Sequence, residues 1–126
     1  MQKKIVKLKE LKLLFVEDED DLLEIISDTL FKLDADFVTA KNGQDALDVL
    51  SKQKIDIVVT DINMPVMNGL ELIQNINELY PEVKVIIMSA HTEIEYIKKA
   101  NDLGVKDYLI KPFDFIKFIE LVSTMD

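Results

Sequence analysis

The chain has 126 residues, which suits one domain and excludes two of ordinary size. Apolar residues make up 48% and charged residues 31%, a globular balance; the lack of cysteine excludes a disulfide scaffold, a thiolate metal site and a cysteine nucleophile, and a single histidine leaves no material for a His-rich metal site. The net charge of −9 argues against direct nucleic-acid binding, and no apolar run is long enough to span a bilayer.

Residues 1–10 read as a basic N-terminal arm, either flexible or an added turn of helix, since five of the chain's 15 basic residues fall within residues 1–12 and Ile5, Val6 and Leu8 are interspersed among them. Leu11–Val16 is a strand that ends abruptly on the acid run Glu17 to Asp21. A helix follows, with Leu22, Leu23, Ile26, Leu30 and Leu33 at helical spacing and the acids at its N-terminus, where the dipole favours them. Asp36–Ala40 is a short strand, and Asn42 is placed to cap a second helix carrying Ala46, Leu47 and Leu50. Ile55–Thr60 is a third strand, ending on Asp61. Ile62–Gly69 is a loop, with Pro65 and Asn68-Gly69 as breakers. The third helix carries Leu72, Ile73, Ile76 and Leu79 and is stopped by Pro81. Val83–Met88 is a nearly all-apolar strand followed by Ser89. Thr92 is placed to cap a fourth helix bearing Ile94, Ile97 and Ala100, and Gly104 to stop it. Val105–Ile110 is the fifth strand, Lys111-Pro112 closes it, and Asp114 is placed to cap a fifth helix.

Strands alternating with helices predict an α/β fold, a parallel sheet covered on both faces. Right-handed crossovers leave few doubly wound arrangements, and five strands suit the order 2-1-3-4-5 of a flavodoxin-like (βα)5 domain. In such sheets ligands sit beyond the carboxyl ends of the strands. Strand 1 delivers Glu17 and Asp18 there, strand 3 Asp61, strand 4 Ser89 and strand 5 Lys111. Three carboxylates at one rim repel one another unless a cation sits among them. An all-oxygen donor set selects a hard divalent cation, Mg2+ before Mn2+ or Ca2+. The acid run lacks the central glycine and terminal glutamate of an EF-hand loop. A metal site with a lysine and a hydroxyl suits phosphoryl transfer, which needs charge neutralisation more than covalent machinery.

Four segments then resemble the receiver domain of bacterial two-component response regulators: Phe15-Val16-Glu17-Asp18-Glu19, Thr60-Asp61-Ile62-Asn63-Met64-Pro65-Val66-Met67-Asn68-Gly69, Met88-Ser89-Ala90 and Tyr108-Leu109-Ile110-Lys111-Pro112-Phe113. The resemblance covers residue 11 to about 125 and assigns residues 11–126 to a receiver domain. It implies that Asp61 accepts a phosphoryl group from a phosphohistidine on a sensor histidine kinase or phosphotransfer protein. It implies Asp18 as a direct Mg2+ ligand, Glu17 as an acid reaching the metal through water, and Asn63 as a backbone carbonyl ligand. Lys111 is implied to pair with phosphoryl oxygens, Ser89 to move toward the phosphate, and Tyr108 to follow by changing rotamer. Lys111-Pro112 is similar to the family's cis peptide, and Asn63 and His91 stand where phosphoryl lifetime is tuned. Glu17 stands where Asp is more frequent, and Ser89 where Thr is equally common.

A flavin-binding flavodoxin is set aside because the acid run would repel a flavin phosphate. A haloacid-dehalogenase-type phosphatase is set aside because it wants a second aspartate where Asn63 stands. The alternative kept is a non-phosphorylated receiver-like interaction module. The implied role is signalling rather than enzymatic, in a cytoplasmic protein, with the domain catalysing only its own phosphorylation and dephosphorylation. Helix 5 is rich in apolar residues, with only Lys117 and Glu120 polar between Phe115 and Val122. This predicts a second contact through Phe115, Ile116, Phe118 or Leu121. The helix 4/strand 5/helix 5 face is accordingly expected to serve a homodimer or an output domain, and both a stand-alone receiver and a piece of a longer regulator or hybrid kinase stay open.

Overall fold

The computed structural model describes residues 8–62, 64, 66–89, 94–111 and 114–124. In chain order these form β1 (Lys12–Val16), α1 (Asp20–Lys32), β2 (Asp36–Ala40), α2 (Gly43–Lys52), β3 (Ile57–Asp61), α3 (Gly69–Leu79), β4 (Lys84–Ser89), α4 (Ile94–Asp102), β5 (Asp107–Ile110) and α5 (Phe115–Thr124). The strands form one five-stranded sheet in the order β2-β1-β3-β4-β5, parallel throughout. This is the expected doubly wound topology.

Period-two alternation along the central strands divides their side chains between two cores. Leu14, Val16, Val58, Val85 and Ile87 face the side packed by Ala46, Leu50, Leu72, Ile73, Ile76 and Ala100, contributed by α2, α3 and α4. Leu13, Phe15, Ile57, Val59, Ile86 and Met88 face the side packed by Leu23, Ile26 and Leu30 of α1 and Phe118, Ile119 and Val122 of α5. A strand with helices on both faces has no polar face, which is why β3 and β4 are apolar almost throughout.

The helix ends follow local chemistry. Asn42 Oδ1 accepts from the Asp45 amide at 2.9 Å and caps α2. Asp114 Oδ1 accepts from the amides of Ile116 at 2.9 Å and Lys117 at 3.2 Å and caps α5. After α4, Gly104 adopts φ +94, a region open to glycine at little steric cost, and the Val105 amide donates back to the Ala100 carbonyl at 3.0 Å. Asn68 departs from its reading as a breaker. Its Oδ1 accepts from the Glu71 amide at 3.0 Å, so it is the cap of α3, and Gly69 is the first helical residue. The proposed Thr92 cap and the Lys111-Pro112 peptide lie outside the described residues.

Near the termini, Leu8 joins the core and one expectation about the last helix changes. Leu8, inside the segment read as an arm, is fully buried in the α1/α5 core, and its carbonyl accepts from the Leu11 amide at 3.2 Å. Phe118, expected among the outward residues of the last helix, is 0% exposed and meets Phe15 edge to face with ring centroids 5.4 Å apart. It is core and cannot carry a surface contact. Of the four residues named for that contact, Phe115 and Leu121 are half-buried and Ile116 is 58% exposed.

Candidate functional site

Each chemistry-bearing side chain sits where a strand stops. β1 ends at Val16, the Glu17 amide still donates to the Ala40 carbonyl of β2 at 3.0 Å, and the chain then leaves the sheet through Asp18. Asp61 is the last residue of β3 and Ser89 the last of β4. Lys111 follows β5, and its amide donates to the Ser89 carbonyl at 2.8 Å, which extends the β4–β5 pairing by one bond. Parallel register therefore brings these groups to one edge.

The three carboxylates converge. Glu17, Asp18 and Asp61 each place one oxygen within 4.8 Å of the others. Glu17 is fully buried, Asp61 nearly so, and Asp18 is exposed. Lys111 Nζ reaches between two of them, 2.9 Å from Glu17 Oε1 and 3.0 Å from Asp61 Oδ2. The Asp61 contact is a hydrogen bond; the Glu17 contact is an ion pair without good hydrogen-bond alignment. The backbone holds the carboxylates too: Ile62 N donates to Asp61 Oδ1 at 2.8 Å and Glu19 N to Glu17 Oε2 at 3.2 Å.

Among the described residues charge is unbalanced, with three acids around one ammonium. Burial pushes the Glu17 carboxyl up to about 7; Lys111 pulls it down and Asp61 pushes it further up. Burial also pulls the Lys111 ammonium down, but Glu17 and Asp61 more than offset this and hold it at about 12. Oxygen donors in excess of the available cation, converging on one point, fit a hard divalent ion. Ser89 is fully buried at the same edge, and its Oγ has no hydrogen-bond partner among the described residues. A buried hydroxyl in that condition is costly unless an acceptor arrives.

Of the residues proposed from the sequence, Glu17, Asp18, Asp61 and Lys111 come together directly and Ser89 lies at the same edge. Tyr108 is on β5 beside Ile87, 48% exposed and turned outward. Asn63 and His91 lie outside the described residues. Two contributors were missed. Thr60 is buried, and its hydroxyl donates to the Asp61 carbonyl at 2.8 Å; its only signal was a polar residue in an apolar strand. Gly69 lets α3 approach the acceptor strand. A Cβ there would collide with the Asp61 carbonyl oxygen and stand 2.7 Å from Ile62 Cα, a contact no local pattern reveals.

Comparison with known proteins agrees with this fold. The family model for the response regulator receiver domain matches residues 13–123. The response regulator protein FleR of Pseudomonas aeruginosa is 37% identical over 112 residues, covering 89% of this chain and 24% of the relative. The chain spans about a quarter of the length of such relatives. Sporulation initiation phosphotransferase F of Bacillus subtilis is matched along its length, 31% identical with 89% of this chain and 90% of that protein covered. Among solved structures, a response regulator receiver protein from Pseudomonas putida has a TM-score of 0.84 at 32% identity, covering 91% of this chain and 97% of that one. The chemotaxis response regulator CheY4 of Vibrio cholerae has a TM-score of 0.80 at 27% identity, covering 89% and 98%. Fold, strand-end acids and family match coincide, and the chain belongs to the response regulator receiver domain family, the signalling domains of two-component systems.

Proposed function

We propose that this receiver domain accepts a phosphoryl group on Asp61 from a histidine kinase or phosphotransfer protein in a Mg2+-dependent reaction. The observation that carries the reading is Asp61 itself: a nearly buried carboxylate at the sheet's carboxyl edge, 3.0 Å from Lys111 Nζ, with two further acids converging on it. A carboxylate oxygen of Asp61 forms the new O–P bond while the N–P bond of the donor phosphohistidine breaks. The electron pair returns to the imidazole nitrogen. Glu17, Asp18 and Asp61, with the Asn63 carbonyl, would hold Mg2+, which supplies charge neutralisation for the transferring group. Lys111 is placed to exchange a carboxylate partner for a phosphoryl oxygen. Ser89 would donate its hydroxyl to another.

The change at Ser89 frees space beside β5 that Tyr108 can fill by turning inward, which alters the α4–β5–α5 face. That face is proposed as the output surface, for a second copy or an output domain, with Ile116 among its exposed apolar residues. The domain catalyses only its own phosphorylation and dephosphorylation, in the cytoplasm, without binding nucleic acid directly. Residues 11–126 are taken as the receiver unit, preceded by a basic segment, residues 1–10, that reaches the core through Leu8.

The test is intact-mass measurement after incubation with acetyl phosphate or phosphoramidate and Mg2+. The expected result is the addition of one phosphoryl group, absent in Asp61→Asn and in excess EDTA. Labelling that survives either change overturns the assignment.

A further inference from the structure

We propose that Gly43, at the start of α2, is a positioning residue for Asp61, acting through Met67 in the β3–α3 loop. α2 supplies none of the three clustered carboxylates, yet its first residue is fitted against that loop without spare room. A Cβ on Gly43 would stand 2.7 Å from Met67 Cγ, 2.9 Å from Met67 Cβ and 2.9 Å from the Met67 carbonyl oxygen. One of these neighbours is backbone, so a side chain at residue 43 cannot be absorbed by a rotamer change alone. The Gly43 amide also donates to that Met67 carbonyl at 3.2 Å.

The other end of the loop is tied to the acceptor. Gly69 N donates to the Ile62 carbonyl at 2.7 Å, and Ile62 N donates to Asp61 Oδ1 at 2.8 Å. Met67 stands two residues before Gly69, whose close approach to the Asp61 carbonyl leaves no room for a Cβ. Displacing Met67 therefore pushes on a short segment whose far end holds the acceptor carboxylate. Met67 is further held by α3, where Asn75 Nδ2 approaches its sulfur at 3.9 Å. The N-terminus of α2 and the first turns of α3 thus clamp the loop from two sides. The alignment of Asp61 depends on the α2 side of this clamp.

Gly43→Ala tests this. No left-handed backbone is needed at residue 43, and alanine favours a helix, so the local conformation itself accepts the change. The expected outcome is a shift of the Ile62 and Gly69 amide resonances, with phosphorylation by phosphoramidate slowed roughly tenfold to a hundredfold at saturating Mg2+. Gln44→Ala, an exposed change in the same turn, should leave both readouts at wild-type values. Met67→Ala keeps Gly43 but removes the side chain it seats against; it should produce the same two effects and carries the test if Gly43→Ala does not fold. The rate arm rests on Asp61 being the acceptor, whereas the amide arm needs no phosphodonor. A wild-type protein that takes no label counts against the function alone, and the resonances then decide the clamp. Wild-type Ile62 and Gly69 resonances in the folded variants, or a wild-type labelling rate in a labelling-competent background, overturn the proposal.

Discussion

Lys111 Nζ lies 2.9 Å from Glu17 Oε1, and this contact gives a fully buried carboxyl a cation at close range. The lysine also serves Asp61, so one ammonium steadies two acids. Lys111→Met keeps most of the stem and removes the charge. In EDTA it should cost about 1–3 kcal/mol, the penalty of leaving a buried polar group without its partner. Added Mg2+ should then raise the melting temperature more in the variant than in wild type, because the ion takes over the neutralisation. Paired thermal melts check this, and an equal Mg2+ shift in the two proteins counts against it.

Glu17 gives the metal-free protein an unusual pH profile. Its carboxyl is raised from 4.5 to about 7, chiefly by burial, so the folded state keeps a proton that the unfolded chain releases. The stability this group contributes is fully present below about 4.5 and is lost as pH rises through about 7. An ordinary ion-paired carboxylate has the opposite sign. Urea melts in EDTA across this window should reveal the falling component, and Glu17→Gln, which cannot ionise, should remove it. Equal slopes for the two proteins would show that the component has another source.

Asp18 is exposed and adds negative charge beside Glu17 and Asp61. Asp18→Asn should stabilise the metal-free fold by about 0.5–1 kcal/mol, the scale of a screened surface charge contact. It should also weaken Mg2+ binding, read by calorimetric titration. A variant that melts lower in EDTA and keeps its Mg2+ affinity would exclude Asp18 as a ligand.

The last helix separates a core residue from a surface one. Phe118→Ala should cost about 3–5 kcal/mol, because a buried ring packed on Phe15 is deleted. Ile116→Glu, at an exposed position, should change stability by no more than about 0.5 kcal/mol. On the proposed output face, Ile116→Glu should also abolish self-association induced by beryllofluoride, measured by sedimentation velocity. An activated dimer that persists in this variant removes Ile116 from the contact.

Much of the fold is legible because its determinants are local or periodic. Alternation in β1, β3 and β4, the caps Asn42 and Asp114, and the stop at Gly104 can each be read within a few residues. Glu17, Asp18, Asp61, Ser89 and Lys111 are legible for the same reason: strand ends in a parallel sheet share an edge. What fails is what depends on phase or distance. Counting apolar residues in α5 shows a surplus but does not tell Phe118, against Phe15, from Ile116, in solvent. Asn68-Gly69 has the composition of both a turn and a capped helix start. Only the approach of α3 to Asp61 and Ile62 explains why glycine follows the cap. Leu8 leaves two readings open, arm or helical turn, because its lysine neighbours dominate any average over the segment.

The Ser89 hydroxyl sets stability and responsiveness against each other. Enclosed at the sheet edge without a hydrogen-bond partner among the described residues, it makes the resting domain mildly frustrated. On the proposed reading, that frustration is relieved only when a phosphoryl oxygen arrives. Alanine at this position would then suit the unmodified protein better than serine does. Selection for heat resistance alone would discard the hydroxyl early, and a thermally improved variant obtained that way should signal worse.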